Sequence, residues 1–197
     1  MRGAGGTRLR VYARRDLIRV GALFLPLLLA GCATLAPQRL ATFEAALAAQ
    51  DSATAALGQW CAARGLADPP TIRAVLTGGS RPASPAIRAA LGVSPDEAVA
   101  YRQVALVCGD TVLSRAENWY VPARLTADMN RTLEHTTTPF GAVVAPLGFR
   151  RERGTAQRGR APDCPAGTVL SHSAVLRLPD GRAISAVVEC YTAENLR

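Results

Sequence analysis

The sequence predicts an α+β domain built around an antiparallel sheet, and three observations carry that prediction. Residues 99–108 and 112–121 are apolar, β-rich runs separated by Gly109-Asp110, and residues 168–178 and 183–191 are separated by Pro179-Asp180-Gly181-Arg182. Each arrangement of run, turn and run is the pattern of an antiparallel hairpin. Upstream, Leu40, Phe43, Ala46 and Leu47 recur at helical spacing, so helices precede the sheet instead of alternating with its strands. At 197 residues, 49% hydrophobic and 19% charged, the chain can bury one core, and no internal repeat or second domain is visible.

Taken in order, the first helical pattern runs to Gln50 and a second covers 52–64, where Ala, Leu and Trp60 dominate. Asp51 or Ser52 offers an oxygen that can cap the unpaired amides of that second segment. Two helices, or one kinked helix, therefore open the domain. Asp68-Pro69-Pro70 stops the helix, because proline has no amide hydrogen and restricts the residue before it. Residues 71–76 read as a short strand before a loop with Gly78, Gly79, Pro82 and Pro85, and 87–91 as one helical turn. After the first hairpin, 125–133 reads as a helix opened by Thr126, and Thr138-Pro139-Phe140-Gly141 as a turn. Residues 143–150 fit a short strand or a helix. Arg150, Arg151, Arg153, Arg158 and Arg160 follow, among Gly154 and Gly159, and read as a solvated loop or as a contact with anionic headgroups or envelope polymers.

The net charge of +8 comes from 23 cations, all of them arginine, against 15 acids. Arginine to the exclusion of lysine points to codon bias more than to selection for phosphate binding. Six of these arginines, from Arg2 to Arg19, precede an apolar run over 20–30 that ends in Leu29-Ala30-Gly31-Cys32. A basic start, a short apolar stretch and small residues before a cleavage point make up a secretory signal. The run is too short to span a membrane, which takes about 20 residues. Leu-Ala-Gly-Cys resembles the lipobox of bacterial lipoproteins, in which the cysteine becomes an acylated N-terminus. The expected organisation is a signal peptide over 1–31, a lipidated tether over 32–38 and one domain over 39–197. Losing residues 1–31 removes six Arg and one Asp, leaving 17 cations and 14 acids, or +3. On that basis nucleic acid is not expected among the partners. The expected location is the cell envelope, facing the periplasm, with the outer membrane as default because Ala33, not aspartate, follows Cys32.

Two charged residues stand out in the strands. Alternation places Arg102, Val104, Leu106 and Cys108 on one face of their strand, and Ser185, Val187, Glu189 and Tyr191 on one face of the last. An arginine in such company is costly unless an anion meets it. Arg102 and Glu189 therefore either pair with each other or lie at an exposed edge, or they face one buried cleft in which arginine holds a carboxylate ligand. Trp119 and Tyr120 fit a pocket mouth, a partner surface or a small core. His135, His172, Ser171 and Ser173 lack the context of a catalytic pair. No Cys-x-x-Cys or His-x-x-x-His spacing occurs, so no metal site is expected.

The stretch from Tyr101 to Asp110, then Trp119-Tyr120-Val121-Pro122 and Thr138-Pro139-Phe140-Gly141, resembles the chorismate pyruvate-lyase family in order and spacing. Gln50-Asp51-Ser52-Ala53-Thr54 is similar to that family's Glu-Asp-Ser-Met-Thr helix, and Val188-Glu189-Cys190-Tyr191 to its Thr-Glu-Leu-Phe. The resemblance covers about 47–192. It implies a sheet of about six antiparallel strands with helices, enclosing a small ligand site beneath helical flaps and working without a cofactor. It also implies ligand-binding roles for Arg102 on a ring carboxylate, Glu189 at the opposite oxygen, and Phe140 and Ala53 through their backbones. Arg102 and Glu189 would be the catalytic pair of a lyase. The chain departs from the family at Asn118, where a second arginine is replaced, at Ala53 in place of methionine and at Phe140 in place of leucine. The expectation is an envelope lipoprotein that binds a small, aromatic carboxylate. The alternatives are an active lyase, which removes pyruvate from chorismate to leave 4-hydroxybenzoate, and a structural envelope protein.

With Cys32 acylated, Cys61, Cys108, Cys164 and Cys190 remain. An even number in an oxidising compartment suggests two disulfides, with three possible pairings, or else four buried free thiols. Strand parity sets Cys108 on the Arg102 face and Cys190 opposite the Glu189 face, which makes Cys108–Cys190 the least plausible pair; of the two pairings left, Cys61–Cys108 with Cys164–Cys190 is preferred.

Overall fold

The computed structural model describes residues 30–197. The signal expected over 1–31 falls almost wholly outside them, and so does the side chain of Cys32. The chain folds into one six-stranded sheet in the order β1-β2-β3-β6-β5-β4, with β1 Ile72–Leu76, β2 Ala100–Cys108, β3 Thr111–Tyr120, β4 Arg150–Arg158, β5 Thr168–Arg177 and β6 Ala183–Thr192. Every neighbouring pair is antiparallel. Five helices accompany the sheet among the described residues: α1 Ala30–Ala48, α2 Ala53–Ala63, α3 Pro85–Leu91, α4 Ala127–His135 and α5 Phe140–Val144. This is the α+β architecture expected from the two hairpins, with the chorismate lyase-like fold.

Local chemistry sets the helix starts. Ser52 and Thr126 accept from the amides of Ala55 (3.3 Å) and Met129 (3.2 Å), so each occupies the orphan donors of a first turn. Ser84 does the same for α3, with Pro85 at its first position. Helix α1 extends from Ala30 through 32–38, where a tether is expected, with Pro37 inside it. The two opening helices are distinct, divided around Gln50 to Ser52.

One face of the sheet carries two apolar clusters. Phe43 and Leu47 of α1 and Leu57 and Trp60 of α2 pack on Val104, Leu106, Leu113 and Tyr191. Leu133, Phe140, Val143 and Val144 of α4 and α5 pack on Tyr120 and Leu176. Across the sheet, Leu91 of α3 covers Trp119, Val121 and Ala186. Trp119 and Tyr120 thus point to opposite faces and both are buried, which places them in the core and not on a partner surface. The disulfides join Cys61 to Cys108, linking α2 to β2, and Cys164 to Cys190, holding the segment before β5 to β6.

The structure settles 143–147 as helical and corrects the reading of the arginine cluster from Arg150 on. Residues 140–147 form α5 and a 3-10 turn, and the arginine-rich run is not a solvated loop but the edge strand β4. Backbone pairing with β5 makes this polar run a strand, from Arg150↔Arg177 to Arg158↔Leu170. Most of its cations meet partners: Arg158 bonds Glu44 at 2.7–2.9 Å, and Arg153 donates to the carbonyls of Ala48 and Gln50. Arg151 points inward.

Candidate functional site

Between the two clusters on the helical face lies a cavity of about 50 Å³. Its floor is the sheet: Arg102 of β2 is paired with Asn118 of β3, Asn118 with Val187 of β6, and Ala116 with Glu189. Directly opposed residues share a face, so the pleat alone turns all of them toward the cavity. Its roof is the start of α2, from Asp51 to Thr54, together with Phe140 and Gly141 of α5. Gly141 is required by this close approach, because a Cβ there would meet Ser52 Oγ at 2.6 Å and Thr54 Oγ1 at 3.0 Å. Arg102, Glu189, Phe140 and Ala53, which lie far apart in the sequence, all line this one cavity.

Arg102 and Glu189 do not pair with each other, nor does either lie at an exposed edge. Arg102 is 6% exposed and its guanidinium donates only to the backbone carbonyls of Thr138 (3.3 Å) and Thr136 (3.4 Å), while its Nε has no partner. Burial pushes its pKa down, the sign of a cation whose charge is not met. Glu189 is instead the acceptor for Arg151, with Nη1 at 3.4 Å from one oxygen and Nη2 bonded to the other, and for the Tyr191 hydroxyl at 2.8 Å. Burial is the largest single influence and pulls Arg151 down, but Glu189, Tyr191 and Asp51 together outweigh it and the net shift is upward. Tyr191 is fully buried and its hydroxyl is pushed well up, first by burial and then by the adjacent carboxylate.

Sequence reasoning missed Arg151, because a polar run with no apolar alternation does not announce a strand. Asn118, recognised only as a departure from an arginine, is 5% exposed in the cavity wall. Its Oδ1 accepts from the Ser185 hydroxyl and its Nδ2 has no partner. Two residues of the cavity lining therefore carry a buried donor without a partner, Arg102 at Nε and Asn118 at Nδ2. The amides of Ala53 and Thr54 lie in the orphan first turn of α2, at the positive end of its dipole. Such donors suit hydrogen-bond acceptors that carry negative charge. Among the described residues no group of three His, Cys, Asp or Glu converges as a metal site, and no helix is long and apolar enough to cross a membrane.

No family model matches the chain. Over 173 residues it is 42% identical to the uncharacterized protein y4mC of Sinorhizobium fredii, covering 78% of this chain and 73% of that protein. The chain belongs to the y4mC family. The fold of this family member is similar to that of PhnF from Mycobacterium smegmatis, with a TM-score of 0.54 at 17% identity over 75% of this chain. The effector domain of PhnF alone gives 0.53, with 73% of this chain and 90% of that domain covered. A possible transcriptional regulator, YydK from Bacillus subtilis, gives 0.44 at 16% identity over 63% of this chain. The y4mC-family chain spans 66% of the PhnF chain and 60% of YydK.

These likenesses correct one expectation. Nucleic acid was excluded because a mature chain of +3 lacks a basic surface, yet the fold is that of the effector domain of PhnF, which is one part of a longer chain. The charge of one domain does not report on partners reached through another part of a protein, so that exclusion does not hold.

Proposed function

We propose that this domain is a binding module for a small organic carboxylate, held in the cavity between the sheet and the start of α2. The observation that carries the reading is Arg102, a buried guanidinium in the cavity wall with no carboxylate partner among the described residues. A guanidinium fork suits a carboxylate, and taking up one would meet a charge whose burial is otherwise costly. The likeness to the effector domain of PhnF supports a ligand-binding role for such a fold.

Binding is favoured over lyase chemistry by the state of Glu189. Arg151 and Tyr191 both donate to its oxygens, so the carboxylate is an acceptor in its own network and is not placed to hand a proton to a departing oxygen. Calorimetric titration of the purified chain with simple carboxylates is expected to give binding, and incubation with chorismate no rise in 4-hydroxybenzoate absorbance. Product formation would establish the lyase instead, and the absence of any carboxylate binding would end the present reading.

Leu29-Ala30-Gly31-Cys32 supports a further part of the proposal, that Cys32 is acylated and anchors the domain in the cell envelope, facing the periplasm and by default on the outer membrane. Several acyl chains at about 0.8 kcal/mol per buried CH2 hold a protein on a bilayer without a spanning helix. Cys32→Ala is expected to move the protein from the membrane to the soluble fraction and to abolish palmitate labelling. Unchanged partitioning would rule out the anchor.

A further inference from the structure

The cavity says more about its ligand than its charge. We infer that the ligand is a short aliphatic acid with a second acceptor oxygen on the carbon next to the carboxylate, a 2-oxo or 2-hydroxy acid, and that Asn118 reads that oxygen. This rests on the carboxylate-binding reading of the same cavity.

Size comes first. A water needs about 10–15 Å³ of such space, and an apolar cavity that holds benzene has about 150 Å³. The 50 Å³ here accommodates a handful of non-hydrogen atoms and not an aromatic ring. The apolar part of the wall is Val104, Leu106, Phe140, Phe149, Leu176 and Val187, which suits a stub of hydrocarbon.

Donor placement comes second. Arg102 and Asn118 are directly opposed on neighbouring strands, so their Cβ atoms stand about 4.5–5.5 Å apart and both side chains rise into the same space. The Ser185 hydroxyl, fully buried, donates to Asn118 Oδ1, which leaves Nδ2 as the amide's free group. Two donors side by side match two acceptor oxygens on adjacent carbons. One is a carboxylate oxygen, which takes the charge of Arg102, and the other is an uncharged oxo or hydroxyl oxygen, for which a neutral amide suffices. Ser185 is a positioning residue, acting only through Asn118.

The test compares matched acids on the purified full chain by calorimetry: pyruvate against propionate, 2-oxobutyrate against butyrate, and 4-hydroxybenzoate. The 2-oxo acids are expected to bind about five- to tenfold more tightly than their alkanoate partners, the worth of one hydrogen bond, and 4-hydroxybenzoate more weakly than either. Asn118→Leu is expected to erase that preference, so that each 2-oxo acid binds no more tightly than its alkanoate partner, and Ser185→Ala to reduce it. Alkanoates equal to 2-oxo acids in the wild type, or a preference surviving in Asn118→Leu, would overturn this inference and leave the carboxylate reading standing. Tighter binding of 4-hydroxybenzoate would overturn it as well. If no acid binds, the carboxylate reading itself fails.

Discussion

Arg102→Met is expected to remove carboxylate binding while leaving the fold as stable as before, or more so. A hydrogen bond to a charged group contributes about 1.5–3 kcal/mol, so affinity should fall by about 10- to 150-fold. The usual consequence of emptying a buried polar position does not follow here, because the group removed is a buried cation without a counter-charge. Its bonds to Thr136 and Thr138 are long, at 3.4 and 3.3 Å, and desolvation already pulls its pKa down. Methionine keeps much of the volume and ends the desolvation cost. Urea unfolding and calorimetry on the same variant check both halves. A stability loss beyond about 3 kcal/mol, the low end for a broken buried ion pair, would show that Arg102 serves the fold and not a ligand.

The second large effect lies a few side chains away and has the opposite character. Arg151→Met should destabilise the domain by about 3–5 kcal/mol, because it strands the Glu189 carboxylate, 5% exposed, beside a fully buried tyrosine hydroxyl. For a domain of this size each kcal/mol moves the melting temperature by about 2–4 °C, so a fall of about 6–20 °C is expected. Arg151→Met with Glu189→Gln should recover most of the loss, since the uncompensated charge is gone. Failure of the double variant to recover would mean that Arg151 matters for its packing and not its charge. The two arginines of the cavity thus differ in kind. Arg151 is matched within the protein and Arg102 is left over.

Much of this was legible in the sequence because it is local. The alternation of Arg102, Val104 and Leu106, the tight Gly109-Asp110 turn and the Ser185–Tyr191 face are fixed by the period of a strand, and each is found where that period puts it. Strand parity also separates Cys108 from Cys190, whose bonds go to Cys61 and Cys164. Arg151 was not legible. Its burial depends on reaching across β5 to Glu189 on β6, a relation between strands two places apart that leaves no mark in the run Arg150–Arg158. Asn118 is an intermediate case. Its position was evident, but its role depends on Ser185, supplied by a neighbouring strand in register.

The strand order has a consequence for how this cavity comes into being. Arg102 and Asn118 belong to one hairpin and can meet as soon as β2 and β3 have been made, whereas Glu189, Val187 and Ser185 arrive with β6, whose place is beside β3. Closing the sheet there brings together stretches far apart along the chain, a contact whose entropic cost delays it relative to local turns. A chain growing from its N-terminus therefore carries an incomplete binding site until its last strand inserts. The cavity is complete only in finished molecules, and anything that keeps β6 from docking leaves it open without touching Arg102.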